Sequence, residues 1–185
     1  MGLYLLVLIA IGVFGILTYN SLARLRLLTA NAWADIDVQL KRRHDLIPSL
    51  VAAVKGHAGY EKSTLEAVVE ARNRAIKAGG PAAAGEAERA LAGSVRQVFA
   101  LAEAYPDLRA AESYLSLQRS LTEIEDHIQN ARRYYNAVVR DLNVKIQQFP
   151  SNLVARLFGF QTAEFFGLSD GSEGDVPAID MGDTK

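Results

Sequence analysis

The sequence predicts an all-α fold with an N-terminal transmembrane helix, and three observations support this prediction. The first is an uncharged, mostly apolar run near the N-terminus. The second is a helical repeat of apolar residues in the rest of the chain. The third is the lack of any long segment that alternates apolar and polar residues, as a half-buried strand would. With 185 residues, half of them hydrophobic, the chain can form one domain with a core and an appended segment.

The composition excludes several functional classes. The chain has no cysteine, so disulfide and thiolate chemistry are excluded. Its 20 basic and 21 acidic residues give a net charge of −1, which provides no electrostatic basis for a nucleic-acid partner. The three histidines, His44, His57 and His127, leave little scope for a metal centre. We therefore expect no nucleic-acid partner and no cofactor.

Residues 1–23 form the predicted transmembrane anchor. No side chain from Gly2 to Ala23 is charged, and about 20 apolar residues are enough to cross a bilayer as a helix. A cleaved signal peptide is the alternative, but no basic segment precedes the apolar run and residues 17–20 make a poor cleavage site. Cations follow the run on its C-terminal side only, which favours an outside N-terminus and a cytoplasmic bundle. Large domains can cross a membrane regardless of local charge, so the opposite orientation is the alternative.

Residues 24–149 form the predicted helical bundle, and its strongest signal is one long helix from about Pro106 to Pro150. Steps of three and four residues from Tyr114 select eleven positions, eight of them apolar or aromatic. A second stripe starts at Trp33, could continue directly from the anchor, and includes Ile36, Leu40, Arg43, Ile47, Leu50, Val54 and His57. Pro48 falls inside this helix, where it frees the carbonyl of His44 and predicts a kink.

Two further helices are predicted between these long ones. Ser63 and Glu66 have the spacing of a capping box, and the following helix should bury Leu65, Val68, Val69, Arg72 and Ile76. An alanine-rich helix from Ala82 to about Tyr105 should bury Leu91, Val95, Val98, Ala102 and Tyr105. Residues 150–168 form an amphipathic C-terminal segment, and the polar, acidic residues 169–185 are predicted to be disordered.

Polar residues interrupt both long stripes. Gln118, Glu125 and Arg132 share one heptad position, and Arg43 lies on the other stripe. A charge buried alone is costly, so each of these side chains should have a partner. We expect a structural polar network that joins Arg43 to Glu125, with Arg132 and Gln118 as further members, and that fixes helix register. The alternative is a hydrated site inside the bundle.

The stretch KRRHDLIP, residues 41–48, resembles an active site in composition only. Helical spacing places Arg43 on the buried stripe and Lys41, Arg42 and Asp45 on the opposite face, so the charged groups do not converge. A solvated face is the simplest interpretation, and a partner surface formed by those three residues is the alternative. No nucleophile motif, phosphate-binding loop or paired Glu-x-x-His motif occurs, so we expect neither catalytic nor metal-binding residues.

The C-terminal segment is more apolar than a short peptide usually needs to be. Its aromatic residues are Phe158, Phe160, Phe165 and Phe166. The segment either folds back as a cap on the bundle or remains available as a surface for the bilayer or a neighbouring subunit.

At the level of motifs, the chain resembles the LemA family of bacterial membrane proteins. The resemblance covers about residues 19–166 and includes AWADIDVQLKRRHDLIPSLVAAVKGHAGYE (32–61), LQRSLTEIEDHIQNARRYYNAVV (117–139) and FPSNLVARLFGF (149–160). It implies a single-pass membrane protein with an elongated soluble bundle of long antiparallel helices. Members of the family are associated with cell-envelope maintenance, sometimes alongside membrane metalloproteases, and with magnetosome membranes.

The combined expectation is a non-enzymatic scaffold or adaptor that is anchored in the bacterial cell membrane. Its expected partners are the lipid bilayer, other copies of itself and other envelope membrane proteins. The alternative is an accessory subunit that regulates a membrane protease or an envelope-stress system.

Overall fold

The computed structural model describes residues 1–56 and 61–167. These residues form six helices and no strand: α1 (Gly2–Lys55), α2 (Lys62–Lys77), α3 (Pro81–Ala102), α4 (Pro106–Ala110), α5 (Glu112–Gln147) and α6 (Ser151–Leu157). The prediction of an all-α fold with a long apolar N-terminal helix is confirmed. The predicted disorder of residues 169–185 lies outside the described residues, as does His57 on the predicted stripe.

Helix α1 is continuous for 54 residues, or about 80 Å. From Thr18 onward its buried residues recur at intervals of three, four or seven: Thr18, Leu22, Thr29, Ala32, Ile36, Leu40, Arg43, Ile47, Leu50 and Val54. The predicted boundary between residues 23 and 24 is therefore not a break in the helix. Anchor and bundle share one helix.

Pro48 lies inside α1, and the carbonyl that it frees has a partner on another helix. Arg72 Nε of α2 donates a hydrogen bond to the backbone oxygen of His44 at 2.7 Å. The lost helical bond is thereby replaced by a tertiary one, which ties α1 to α2.

Helices α1 and α5 pack as an antiparallel pair, with Arg43 of α1 near Glu125 of α5 and Trp33 near Tyr135. The predicted start of the long helix at Pro106 is wrong, because Ala111 is extended (ψ 124°) and separates α4 from α5. Leu108 and Tyr114 are both buried in the same cluster. An uninterrupted helix would place these two side chains roughly 120° apart around its axis, so the break lets both enter the core.

Helices α2 and α3 form a hairpin that packs on the far end of α1. The predicted capping box is wrong, since α2 begins at Lys62 after Glu61 and has no side-chain capping bond. The predicted buried face of α2 is also partly wrong. Val69 and Ile76 are exposed, and Ala71 and Ala75 are buried together with Leu65 and Val68. Small side chains at these positions allow the helices to approach closely.

Helix α3 begins with Pro81, which suits a first helical turn because its missing N–H would have no partner there. Leu91, Val95, Val98 and Ala102 are buried as predicted. The core then continues along α1 through a middle cluster around Ile36, and ends in a cluster that joins Leu22 to Leu142, Ala155 and Phe160.

Candidate functional site

A buried ion-pair junction lies where α1, α3 and α5 meet. Arg43 Nη2 donates to Glu125 Oε2 of α5 at 2.5 Å, and Arg43 Nη1 donates to Glu88 Oε2 of α3 at 3.4 Å. The side chains of Arg43 and Glu88 are 6% and 5% exposed, whereas that of Glu125 is 34% exposed. One arginine therefore connects two carboxylates from two different helices.

His44 completes this junction. Its Nε2 lies 2.5 Å from Glu88 Oε1, a hydrogen-bond distance at which Nε2 is the donor when Glu88 is ionised. Glu88 thus binds two successive residues of α1 through its two oxygens. Through the bond from Arg72 to the His44 carbonyl, this single turn of α1 is tied to α2, α3 and α5.

The other two residues predicted for the network lie outside it. Arg132 Nη2 donates to the carbonyl of Gly167 at 3.2 Å. Among the described residues, Gln118 contributes only its backbone oxygen, which accepts from Thr122 Oγ1 at 2.9 Å. Both are one heptad from Glu125, about 10 Å along the helix, and Arg132 lines the same small cavity of about 120 Å³ as Arg43, Glu88 and Glu125 without a hydrogen bond to them among the described residues.

Glu88 is the member that the sequence analysis missed. It continues the buried face of α3 three residues before Leu91, next to the buried Ala84. The predicted stripe began at Leu91. The position of Glu88, three residues before Leu91 on the same helical face, could have indicated a buried carboxylate.

The residues 160–167, here called the C-terminal strap, run back along α5 and are held by two asparagines. Asn136 Nδ2 donates to the Phe166 carbonyl at 3.2 Å and Oδ1 accepts from the Phe166 N–H at 2.9 Å. Asn143 makes the same two bonds with Ala163, at 2.9 and 2.8 Å. Seven helical residues rise about 10.5 Å, and three extended residues advance about 10 Å, so the two repeats match.

Further contacts fix the far end of the strap between α5 and α3. Tyr135 Oη donates to the Glu164 carbonyl at 2.8 Å. Burial raises the pKa of Tyr135 to about 12, and the charge of Glu164 acts in the same direction. A Cβ on Gly85 would lie 2.2 Å from the Gly167 nitrogen, so α3 needs a glycine at this crossing. Arg89 also donates to the Gly167 carbonyl.

The strap corrects part of the predicted partner surface. Phe160 and Phe166 are 8% and 3% exposed, and Phe166 lies 5.8 Å from Trp33 between ring centres. Phe165 is half-buried and packs against the same cluster. Phe160 and Phe166 therefore cap the bundle and are not available to a partner, whereas Phe165 is covered only in part. Phe158 is different: it is 55% exposed and its ring lies 4.8 Å from that of Tyr19.

Lys41, Arg42 and Asp45 are exposed on the outer face of the turn that carries the junction. Arg42 and Asp45 border a shallow groove of about 410 Å³, whose other polar lining residues are Gln39, Ser120, Glu123 and His127. Within the described residues, no three His, Asp or Glu side chains are placed to hold a metal ion. The imidazole and carboxylates that do converge already bind one another and Arg43.

The apolar half of α1 has the opposite character. Of its most apolar 18-residue window only 6% is buried, and among the described helices it is the one long and apolar enough to cross a membrane. An exposed apolar surface of this size is stable in a bilayer and would be unfavourable in water.

Comparison with known proteins agrees with these features. The LemA family model matches residues 32–181. The magnetosome protein MamQ 2 of Paramagnetospirillum magneticum is 26% identical over 190 aligned positions, which cover 89% of this chain and 69% of that protein. MamQ of Magnetospirillum gryphiswaldense is 27% identical over 79% of this chain and 62% of its own length. Protein LemA of Metamycoplasma hominis is 25% identical over 82% of this chain and 69% of its own length. The chain therefore belongs to the LemA family, and its exposed apolar helix and these relatives indicate a membrane-associated protein.

Proposed function

We propose that this protein is a non-catalytic, membrane-anchored scaffold of the bacterial cell envelope that assembles with copies of itself. The observation that carries the proposal is the continuity of α1. Because one helix of 54 residues contains both the apolar span and the spine of the bundle, no flexible linker separates the two. A bundle attached in this way holds a defined position above the bilayer, as a scaffold requires.

Self-assembly is supported by apolar side chains that remain exposed on the bundle. Leu27 and Val38 of α1 are 63% and 50% exposed, and Tyr134 and Val144 of α5 are 52% and 53% exposed. Side-by-side packing of anchored rods would cover such residues, and many copies would supply the contact area. The cations at Arg24 and Arg26 favour a cytoplasmic bundle with the N-terminus outside.

The assembly can be tested by cross-linking in native membranes, since the chain has no cysteine of its own. Val144→Cys should form dimers and higher species with a bis-maleimide reagent. Glu112→Cys, an exposed position at the other end of α5, is the matched control and should form fewer. Monomers from both variants would contradict self-assembly.

A second candidate is an accessory subunit of a membrane protease or envelope-stress system. The groove beside Arg42 and Asp45 favours it, because it presents exposed charged side chains at a concave surface on which a partner can dock. Native purification should then yield a stoichiometric partner, which is lost when Lys41, Arg42 and Asp45 are all replaced by alanine.

A further inference from the structure

An apolar groove of about 680 Å³ lies between α6 and the N-terminal part of α1. The wall on α1 runs from Ile11 to Tyr19, and the wall on α6 runs from Pro150 to Phe158. The volume lies within the roughly 300–1,000 Å³ that small-molecule sites occupy. Its lining contains no charged side chain. The groove therefore suits an apolar ligand.

The position of the groove along α1 places it inside the membrane layer. Ile11 and Tyr19 are eight residues apart, so the groove extends about 12 Å along the helix axis. This stretch belongs to the apolar run, whose side chains are exposed around the helix. Since α6 contacts the same stretch, α6 must lie at the depth of the lipid chains whenever α1 crosses the bilayer.

Apolar side chains on and next to α6, several of which line the groove, are exposed. Phe149, Leu153, Leu157 and Phe158 are 73%, 58%, 78% and 55% exposed. Arg156 is exposed among them, and an arginine at such a depth can extend its charged end toward the headgroups. A short helix with this pattern, held against the span, is typical of a segment that contacts the bilayer.

We propose that α6 is a second membrane-contact element and that the groove between α6 and α1 binds the acyl chain of a bilayer lipid. The proposal rests on the membrane anchoring put forward above and adds a site to it. The groove is continuous with the exposed apolar surface of the span, so a lipid chain that covers the span also reaches the groove. Two contacts with the bilayer, α1 and α6, would also fix the rotation of the bundle about the α1 axis.

The depth of α6 can be measured by spin-label accessibility on the full-length protein in vesicles of phosphatidylethanolamine and phosphatidylglycerol. A nitroxide on Leu157→Cys should collide more often with oxygen than with a water-soluble nickel chelate. Ile9→Cys is the reference within the span, and Ser113→Cys is the aqueous reference at the far end of the bundle.

The reference labels separate the possible failures. A lipid-like result at position 9 with a water-like result at position 157 overturns this proposal and leaves the anchor intact. A water-like result at both positions overturns the anchor as well. Protection from both reagents at position 157, together with spin–spin broadening between copies, would assign the groove to a second copy and overturn lipid binding.

Occupancy of the groove can be tested by filling it. Gly12 lines the groove, and a Cβ at this position would meet no atom within 4 Å, so the larger side chain of Gly12→Phe has room to start into the groove. With a phosphatidylcholine that carries a nitroxide on its acyl chain, the native chain should show a motionally restricted lipid component. Gly12→Phe should lose that component, whereas Leu5→Phe, outside the groove, should keep it. Equal restricted components in all three proteins would contradict the acyl-chain site.

Discussion

The two faces of one turn of α1 carry similar residue types and have opposite surroundings. On the inner face, Arg43 is 6% exposed and bound to two carboxylates, and His44 contacts one of them. On the outer face, Lys41, Arg42 and Asp45 are exposed. A charge on the inner face has lost its water and depends on its partners, whereas a charge on the outer face keeps its hydration. The comparison shows that burial decides whether a charged residue of this turn supports the fold. The clustering of charged residues in the sequence does not.

The largest effect should come from breaking the inner face. Arg43→Leu leaves Glu88 buried without its cation, so we expect a loss of about 3–5 kcal/mol in the free energy of unfolding. Urea unfolding in detergent, followed by circular dichroism, measures it. Arg42→Leu on the adjacent exposed position is the matched control and should change stability by about 0.5 kcal/mol or less. Equal losses in the two variants would mean that the faces do not differ.

The position of the C-terminal strap should depend on Asn136, which binds it, and not on exposed asparagines of the same helix. Asn136→Ala removes both bonds to Phe166 and should cost about 1–3 kcal/mol, because a buried backbone donor and acceptor lose their partners. Hydrogen exchange at the Phe166 amide should accelerate in this variant. Asn130→Ala, an exposed asparagine of the same helix, should leave that amide as protected as in the native chain.

Glu125 should contribute less than Arg43, since its side chain is 34% exposed. Glu125→Gln keeps the size and removes the charge, and solvent screening limits the expected loss to about 1–2 kcal/mol. The same urea experiment measures it, with Glu123→Gln as the exposed control. An unchanged stability in Glu125→Gln would contradict a network that includes this residue.

The pKa of Tyr135 predicts a pH effect with a defined sign. Burial raises this pKa from 10.0 in the unfolded chain to about 12 in the folded one. Below pH 10 both states hold the proton and the stabilisation is complete; between pH 10 and 12 only the folded state keeps it, so stability falls as pH rises. Tyr135→Phe should reduce this fall, whereas Tyr134→Phe, an exposed neighbour, should not.

The smallest effect should follow from changing the outer face. The alanine substitution of Lys41, Arg42 and Asp45 together should leave the unfolding free energy within about 0.5 kcal/mol of the native value, because the three side chains are exposed. Thermal unfolding of the purified protein measures this. A loss comparable to that of Arg43→Leu would show that the outer face also supports the fold.

Periodicity was sufficient to predict the features that repeat along one helix. The buried row from Ile36 to Val54, the place of Arg43 within it and the freed carbonyl of His44 all follow from helical spacing and from proline chemistry. Pairing Arg43 with Glu125 required only the further step that a buried charge needs a partner. Each of these inferences depends only on the periodicity of one helix, or on the apolar faces of the two long helices α1 and α5.

The remaining features depend on how separate elements meet. Glu88 joins the junction because α3 crosses α1 at His44, and the sequence alone does not give the relative register of two helices. The strap has no period of its own, because it is extended backbone bound by side chains of α5. The sequence therefore left open whether its apolar residues cap the bundle or form a partner surface. The same limit explains the wrong prediction of the buried face of α2. The larger side chains of Val69 and Ile76 were expected to be buried, whereas Ala71 and Ala75 are buried.

The most direct test of the junction is a double-mutant cycle between Arg43 and Glu88. The free energy of unfolding is measured for the native chain, Arg43→Leu, Glu88→Leu and the double variant. If the buried charges act as a unit, the double variant should be more stable than the sum of the single losses predicts, with a coupling of roughly 1–3 kcal/mol. Additive losses, with a coupling below about 0.5 kcal/mol, would contradict the account of this turn as a structural junction.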